Sequence, residues 1–209
     1  MPGTPVIDAA FSAPPFPDQL LAGGPIGAAF DAIQLRLQSV FAPSVYSHVE
    51  IPPRAGRQIW DKLTRTMPMV GLGWLSWTAA RNTGAEFRGD LVFPLYLLTR
   101  QSTVRGMYAG DTVLPGVWGM SALAIAALHG WTLPGDIGTA RVRNASVVAE
   151  AEWVPEGTAF VALDVTVEGV GFDDPTLIAE LADFLRLSET FTVDNLVRPT
   201  ITIELGEDT

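Results

Sequence analysis

Four acidic side chains have a spacing that could support acid–base chemistry. Glu150 and Glu152 alternate along one predicted strand, and Asp164 and Glu168 lie on one face of the next. If the two strands pair, a carboxylate-dependent hydrolase would use Glu150, Glu152 or Asp164 as its acid and base. One of those carboxyl groups would then need a pKa that burial raises. A half-exposed, alternating strand favours a solvated acidic face instead.

Other catalytic and metal-binding patterns are weak. The two histidines, His48 and His129, stand alone without the spacing of a metal-binding pair. The chain has no cysteine, which excludes thiolate zinc sites, disulfides and cysteine nucleophiles. Gly71 and Gly73 lack the third glycine of a dinucleotide-binding loop. We therefore predict no catalytic residue, no cofactor and no metal, and we keep a hydrolase and a small-molecule binding module as alternatives.

Composition indicates a protein that buries surface against other chains. Hydrophobic residues make up 48% of the sequence and charged residues 17%, with a mean hydropathy of +0.27. So little charge on so apolar a chain favours permanent contact with copies of itself or with partners. The net charge of −10 argues against docking on phosphate backbones. No basic residue precedes Arg36, which argues against a signal peptide, and we expect no membrane segment.

Hydrophobic periodicity predicts the elements that would position these residues. An apolar stripe from Ile26 to Val40 predicts a helix over residues 25–41. Residues 45–51 follow as a strand, and residues 54–66 as either a short helix or an ordered excursion of the chain. Residues 67–79 and 87–100 read as an irregular hairpin, followed by a polar loop over residues 101–110. Two apolar stripes predict a largely covered helix over residues 111–131, and residues 142–154 and 158–170 read as a second hairpin.

The predicted fold class is α+β. It has a mixed, mainly antiparallel sheet with two helices packed on one face, a hairpin extension and extended termini. We divide the chain into a proline-rich N-terminal arm (1–24), an α/β domain (25–172) and a C-terminal helix and strand (173–209). The arm either is disordered or orders against a neighbour, with Phe11 and Phe16 as its anchors.

This order of elements resembles the tail terminator, or tail completion, proteins of tailed bacteriophages, in particular the family of Mu-like phages. The resemblance rests on five segments: the helix Ile26 to Val40, the hairpin 67–100, the stretch from Tyr108-Ala109-Gly110 through Gly116-Val117-Trp118-Gly119, the helix end Leu128-His129-Gly130, and the paired strands that end in Val167-Glu168-Gly169-Val170. Element order and spacing carry it, over about residues 25–172, and no signature motif does. The proline-rich arm and the chain after Gly171 depart from the family's pattern.

The resemblance implies a structural virion protein. It implies a ring, usually a hexamer, that caps the tail tube and joins it to the neck or head-completion protein, with DNA passing through the lumen without specific binding. The location would be the tail or neck of the virion, and the host cytoplasm during assembly. The family has no catalytic residues that could be carried over to this sequence. The functional residues would therefore be those that form contacts between subunits.

We predict two sets of functional residues on that basis. The hairpin and the loop after it should meet a neighbouring subunit through aromatic, methionine and arginine side chains: Trp74, Trp77, Arg81, Arg88, Arg100, Arg105, Met107 and Tyr108. The arginines would pair with acids of the neighbour. The acidic strand faces are the candidates for the lumen, because a strand pair presents one polar face along a channel: Glu150, Glu152, Asp164 and Glu168.

Overall fold

A computed structural model of the protein describes residues 21–80, 87–148, 155–172, 192–193 and 196–197. By its internal contacts, the chain divides into the unit Gly23–Phe172 and a second unit that joins Met1–Ala22 to Asp173–Thr209. In the second unit, the strands Thr192–Val193 and Leu196–Val197 form an antiparallel pair. The predicted arm up to residue 20, and most of the predicted C-terminal helix and strand, lie outside the described residues and stay predictions.

The unit Gly23–Phe172 is built on one six-stranded sheet. Its order is β1-β2-β4-β6-β5, and β3 pairs with β4 beside β2. β1 and β2 run parallel, whereas every other pairing in the sheet is antiparallel. The predicted mixed, mainly antiparallel sheet is therefore confirmed. The strands are β1 Ser47–Ile51, β2 Met69–Gly73, β3 Ser76–Ala79, β4 Arg88–Arg100, β5 Thr139–Val147 and β6 Thr158–Gly171.

Four α-helices and one 3₁₀ turn connect these strands in the described residues. They are α1 Gly24–Val40, α2 Arg57–Leu63, α3 Val104–Ala109 and α4 Val117–Leu128, with the 3₁₀ turn at Pro134–Asp136. α1 starts as its sequence predicts, with a proline in its first turn, where the missing N–H costs no intrahelical bond. α3 is capped by Thr103, whose hydroxyl accepts a hydrogen bond from the Gly106 N–H at 3.0 Å.

The main core lies between one face of the sheet and the helices α1 and α4. Ile33 and Leu37 of α1 and Met120 and Ala124 of α4 are buried in it. The sheet contributes alternate residues of its two longest strands, since successive strand side chains point to opposite faces: Leu91, Phe93, Leu95, Leu97, Val161, Leu163, Val165 and Val167. The predicted packing of two helices on one face is confirmed.

The opposite face of the sheet holds a smaller cluster around Trp60 of α2. The Trp60 ring lies 5.2 Å from the Tyr96 ring, nearly perpendicular to it, and 5.3 Å from the Phe160 ring. Met69 and Leu98 complete the buried part of the cluster. The central strands are therefore covered on both faces at this end of the sheet.

Three element boundaries differ from their predictions. The helix predicted from residue 111 begins at Val117, because Asp111 to Gly116 form a turn that ends in Pro115 and Gly116. The predicted polar loop over residues 101–110 contains the helix α3. The irregular strand over residues 67–79 is two strands, since the chain leaves β2 after Gly73 and pairs with β4 again from Ser76.

Candidate subunit interface

An exposed aromatic stack joins α3 to α4. The Tyr108 ring stacks on the Trp118 ring with centroids 5.2 Å apart and an interplanar angle of 25°. The Arg105 guanidinium lies over the same indole, 5.4 Å from its centroid. Even so, Trp118 remains 55% exposed. We call Arg105, Tyr108 and Trp118 the aromatic stack, and such a cluster of aromatic and arginine side chains is typical of interface anchors.

A tight connection holds the stack in place. The Asp111 carboxylate accepts hydrogen bonds from the N–H groups of Val113 at 2.7 Å and Leu114 at 2.8 Å. These bonds, with the one at Leu114 the largest cause, hold the pKa of Asp111 below its ordinary value. Gly110 has φ +88, and a Cβ there would overlap the Leu114 carbonyl oxygen and the Gly116 nitrogen. The turn therefore depends on a carboxylate and on a backbone crossing that only glycine allows.

α4 presents an apolar face to solvent. Its twelve residues include no charged side chain. The stripe Val117, Met120 and Ala124 is buried, whereas Trp118 and Ile125 of the neighbouring stripe are exposed. The expectation that this helix is covered on most of its circumference is wrong for the described chain. A helix that packs on the core of its own chain with one face and on a partner with the other is expected to have two apolar stripes and no charged side chain.

A groove opens between α3 and the adjoining ends of β5 and β6. Its volume is 460 Å³, within the range of about 300–1,000 Å³ found for ligand sites. Two valines on its walls, Val104 and Val147, are 65% and 53% exposed. Among the described residues of the lining, Glu156 is the only charged one, and the others are Met107, Tyr108, Val117, Val148, Pro155, Gly157, Thr158, Ala159, Phe160 and Val161. We call this the α3 groove.

The tryptophans of the predicted hairpin have different surroundings. Trp74, between β2 and β3, is 40% exposed and available to a partner. Trp77 packs on its own chain, with its ring 4.8 Å from that of Phe87 and 6.4 Å from that of Phe172. Its indole N–H is buried and has no hydrogen-bond partner among the described residues. Trp77 is therefore a structural residue of this hairpin as well as a predicted contact.

The predicted arginines are not brought together. Arg88 and Arg100 are the first and last residues of β4, which places them about 40 Å apart at the rise of an extended strand. Arg105 belongs to the aromatic stack near the Arg100 end, and Arg81 lies outside the described residues. The predicted interface set therefore spans the length of the sheet. Of its members, Arg105, Met107 and Tyr108 share one site, on α3.

The predicted lumen acids are also divided. Glu168 lies between two arginines of its own chain, with its Oε2 atom 3.4 Å from Arg141 Nε and its Oε1 atom hydrogen-bonded to Arg143. Asp164 is exposed on the same strand. Glu150 and Glu152 lie outside the described residues. Among the candidates that the structure describes, only Asp164 thus presents a carboxylate with no ion pair in the described chain.

A second cavity, of 480 Å³, lies beside Trp60 and Tyr96 and is also lined by residues 51–56, including Arg54. Burial, and next the nearby Asp164 charge, raise the pKa of Tyr96 above its ordinary value of 10.0. Arg54 and the two aromatic rings could hold a small anionic or aromatic ligand. The sequence alone does not indicate this cavity, because α2 and β4 are distant in the chain.

Both histidine side chains form hydrogen bonds with backbone groups. His48 Nε2 lies 2.7 Å from the Phe41 carbonyl oxygen, and His129 Nδ1 accepts a hydrogen bond from the Val142 N–H at 3.2 Å. No group of three or more His, Cys, Asp or Glu in the described residues is arranged to hold a metal ion. Among the helices in the described residues, none is long and apolar enough to cross a membrane.

Comparisons with known proteins find a likeness in structure and none in sequence. Neither a protein-family model nor a curated protein matches the chain. A chain from the virion of a native gene transfer agent particle resembles it with 14% sequence identity and a TM-score of 0.42. The match covers 69% of this chain and 96% of that one. At this level the likeness is a partly shared chain path, and it carries no functional argument.

Proposed function

We propose that this chain is a structural protein of a tailed-phage virion and that it forms the ring that terminates the tail. In this role the chain forms a homo-oligomer, which is usually a hexamer in the family it resembles. The ring caps the tail tube and binds the neck or head-completion protein. DNA passes through its lumen without specific contacts. The order of elements over residues 25–172 supports the proposal. The observation that carries it is the uncharged helix α4, whose Trp118 and Ile125 face solvent in the isolated chain.

Burial of that face would supply the main free energy of association. Apolar surface gains about 25 cal/mol for each Å² removed from water, and a large aromatic side chain contributes the most. The aromatic stack is already ordered by Asp111 and by the α3 cap, so little side-chain entropy is lost when a partner covers it. A preformed, rigid aromatic anchor is what an interface hot spot requires.

The two ends of the sheet support association in a ring. β1 and β5 are the end strands of the described sheet. Residues 143–147 of β5 are all exposed, and Val148 donates its N–H inward to the Phe160 carbonyl oxygen. Alternation then directs the N–H groups of Ala145 and Val147 outward. Two different edges at opposite ends of one sheet allow head-to-tail pairing, and head-to-tail contacts close into rings.

The rival proposals rest on narrower observations. A carboxylate-dependent hydrolase would draw on the acidic strands, yet the Glu168 carboxylate there is held by two guanidinium groups. A small-molecule binding module is the second candidate, because the 480 Å³ cavity beside Trp60 and Tyr96 has a suitable size and two aromatic walls.

The test is the molar mass in solution, measured for the wild-type chain and for the double variant Trp118→Ala/Ile125→Ala. We expect the wild type to sediment as a closed multiple of 22.4 kDa, alone or with tail-tube protein present. The double variant should be a folded monomer, with association at least about tenfold weaker, because each truncated anchor costs more than about 1 kcal/mol.

The matched control is Val45→Ala, which trims an exposed valine in the turn before β1 and should leave the mass unchanged. Trp118 is preferred to Trp77 as the probe, because Trp77 packs on Phe87 and its loss would disturb the hairpin itself. A wild-type chain that stays monomeric with and without tail-tube protein would contradict the proposal.

A further inference from the structure

We infer that a basic patch on α2 binds an acidic surface of a second copy of this chain. The patch consists of Arg54, Arg57, Lys62 and Arg65, and we call it the α2 patch. The inference rests on the proposed self-association and identifies one of its contacts. The contact is separate from the exposed apolar stripe of α4, because α2 and α4 pack on opposite faces of the sheet.

The four cations of the α2 patch have no counter-ion in the described part of the chain. All four are exposed to solvent. The ion pairs between described residues join Arg141 and Arg143 to Glu168, and none of them involves the patch. Positive side chains without a counter-ion, on a protein that is acidic as a whole, are available to a partner of opposite charge.

Charge selects an acidic partner, and a second copy supplies one. Residues 54–65 hold four of the 13 Lys and Arg residues of the chain and one of its 23 Asp and Glu residues. The segment therefore carries a formal charge of +3 and the rest of the chain −13, which together give the net charge of −10. Copies of so acidic a chain repel one another, and contact between the α2 patch and an acidic surface of the next copy offsets that repulsion locally.

The α2 patch lies on an element that is already fixed in place. Trp60 of α2 is buried against the rings of Tyr96 and Phe160, which holds the helix on the sheet. Just after the helix, the Thr66 hydroxyl donates a hydrogen bond to the Leu63 carbonyl oxygen at 2.9 Å. The charged side chains therefore project from an ordered backbone, so a partner does not have to order it on binding.

The phosphate backbone of DNA is another anionic surface, and two observations favour a protein instead. Asp61 is exposed between Arg57 and Arg65, four residues from each, so its carboxylate lies within the basic surface. A uniformly negative row of phosphates would repel that carboxylate, whereas a protein surface can place a hydrogen-bond donor opposite it. The charge of −13 on the rest of the chain also repels DNA at long range.

Ion pairs at an exposed surface give orientation more than affinity. Solvent and salt screen them, so each adds little to the free energy of association. They speed the encounter of two proteins and fix the register in which they meet. The exposed stripe of α4 therefore remains the main source of affinity in the proposed ring, and the α2 patch determines which surface of the next copy is met.

Lys62 is the only lysine of the chain, which allows a direct test by crosslinking. A carbodiimide joins an amine to a carboxylate that it contacts, so every lysine crosslink in this protein reports the surroundings of Lys62. Natural-abundance and heavy-nitrogen-labelled full-length chains are mixed and assembled together. Mass spectrometry of the linked peptides then distinguishes links between chains from links within one chain. The control is Lys62→Arg/Arg143→Lys, which keeps the net charge and moves the lysine beside Glu168 of its own chain.

We expect Lys62 to link to a carboxylate of another chain at least about tenfold more often than the control's lysine does, because docking raises the effective concentration of carboxylate. The control's lysine should link to Glu168 within its own chain, which shows that the reagent works. Arg57→Gln/Arg65→Gln should reduce the links between chains by about three- to tenfold, because two ion pairs of the contact are lost.

The matched control for that double variant is Gln34→Glu/Gln38→Glu, which also lowers the net charge from −10 by two and should leave the links unchanged. Both glutamines lie on the side of α1 away from α4. Arg36, about half a helical turn from each, faces α4 and donates a hydrogen bond to the Ala127 carbonyl oxygen at 3.1 Å.

The molar mass of the same samples separates this inference from the proposed function. Rings in which Lys62 links to no other chain would overturn the inference and leave the proposed function standing. Links from Lys62 to tail-tube protein alone would make that protein the partner and would also overturn it. So would DNA retention by the wild type that Arg57→Gln/Arg65→Gln abolishes, because the patch would then bind phosphates. Failure of the chain to associate under any condition would overturn the proposed function, and the absence of links in that monomer would overturn the inference as well.

Discussion

At the scale of single residues, the carboxylate of Asp164 acts on the phenol of Tyr96. Both lie on the face of the sheet opposite α1, and the carboxylate raises the pKa of the phenol by opposing its ionisation. Burial is the larger cause. The neutral phenol therefore contributes stability that is fully present below pH 10.0 and is lost as the pH rises through the folded-state pKa.

The variant Asp164→Asn tests this coupling. We expect the pKa of Tyr96 to fall toward 10.0 but to remain above it, because the burial that causes most of the shift is unchanged. The measurement is an NMR titration of the tyrosine rings. Asp90→Asn is the matched control, since Asp90 lies near the opposite end of β4, where it accepts a hydrogen bond from the Gly169 N–H. A pKa of Tyr96 that is equal in wild type and Asp164→Asn would show that the two groups do not interact.

At the scale of elements, the sequence predicted those helices and strands whose position depends on the hydrophobic periodicity of their own residues. The stripe from Ile26 to Val40 located α1 to within a residue, and alternation located β4 and β6, because each element buries a face with its own periodicity. The parallel pairing of β1 with β2 has no local signal, since it depends on where α2 returns the chain. The start of α4 was predicted too early because the apolar residues Val113 and Leu114 extend the pattern into a turn that Asp111 enforces.

The candidate site was predicted in part for the same reason. Arg105, Met107 and Tyr108 were identified from their residue types, and they do share α3. Trp118 was assigned to the covered circumference of a helix, because the sequence cannot show which of two apolar stripes faces the sheet. The absence of charge from α4 is the available sequence signal for the second covered face that the proposed assembly requires.

The connection between α3 and α4 gives a prediction at this scale. In Gly110→Ala, a Cβ would overlap backbone atoms of Leu114 and Gly116, and the residue would also keep a left-handed φ of +88. Gly135→Ala is the control, because Gly135 has φ +73 but open space around its Cβ position. Both substitutions carry the conformational penalty of about 1 kcal/mol, and Gly110→Ala should cost about 1–3 kcal/mol more.

Urea denaturation of the two variants measures this difference in the free energy of unfolding. Gly110→Ala should also weaken self-association, since it displaces the aromatic stack, whereas Gly135→Ala should not. If the two variants have equal stability, the close approach at Gly110 is not a constraint on the fold.

At the scale of the whole molecule, the exposed apolar surface and the exposed carboxylate of Asp164 lie on opposite faces of the described sheet. Apolar side chains collect on α4 and around the α3 groove, while Asp164 is exposed on the opposite face of the sheet. A subunit so divided can associate through one surface and keep another acidic. Six copies at −10 would give a hexamer a formal charge of −60, which opposes docking on phosphates wherever acids line the lumen.

The last prediction concerns that lumen. Reversing all four candidate acids would disturb more than the lumen, because Glu168 is already bound to Arg141 and Arg143. Asp164→Lys is the sharper change, and Glu156→Lys at the α3 groove is its control, with the same change in net charge at another place.

If Asp164 faces the lumen, assembled Asp164→Lys rings should retain duplex DNA. The logarithm of the DNA association constant should then fall with the logarithm of the salt concentration, with a slope of about 0.9 for each phosphate that the new lysines neutralise. Glu156→Lys rings should release DNA as the wild type does, because their added charges lie away from the channel. Retention measured by filter binding across a salt series distinguishes the variants, and equal retention by both would mean that net charge alone, and not a carboxylate in the lumen, governs passage.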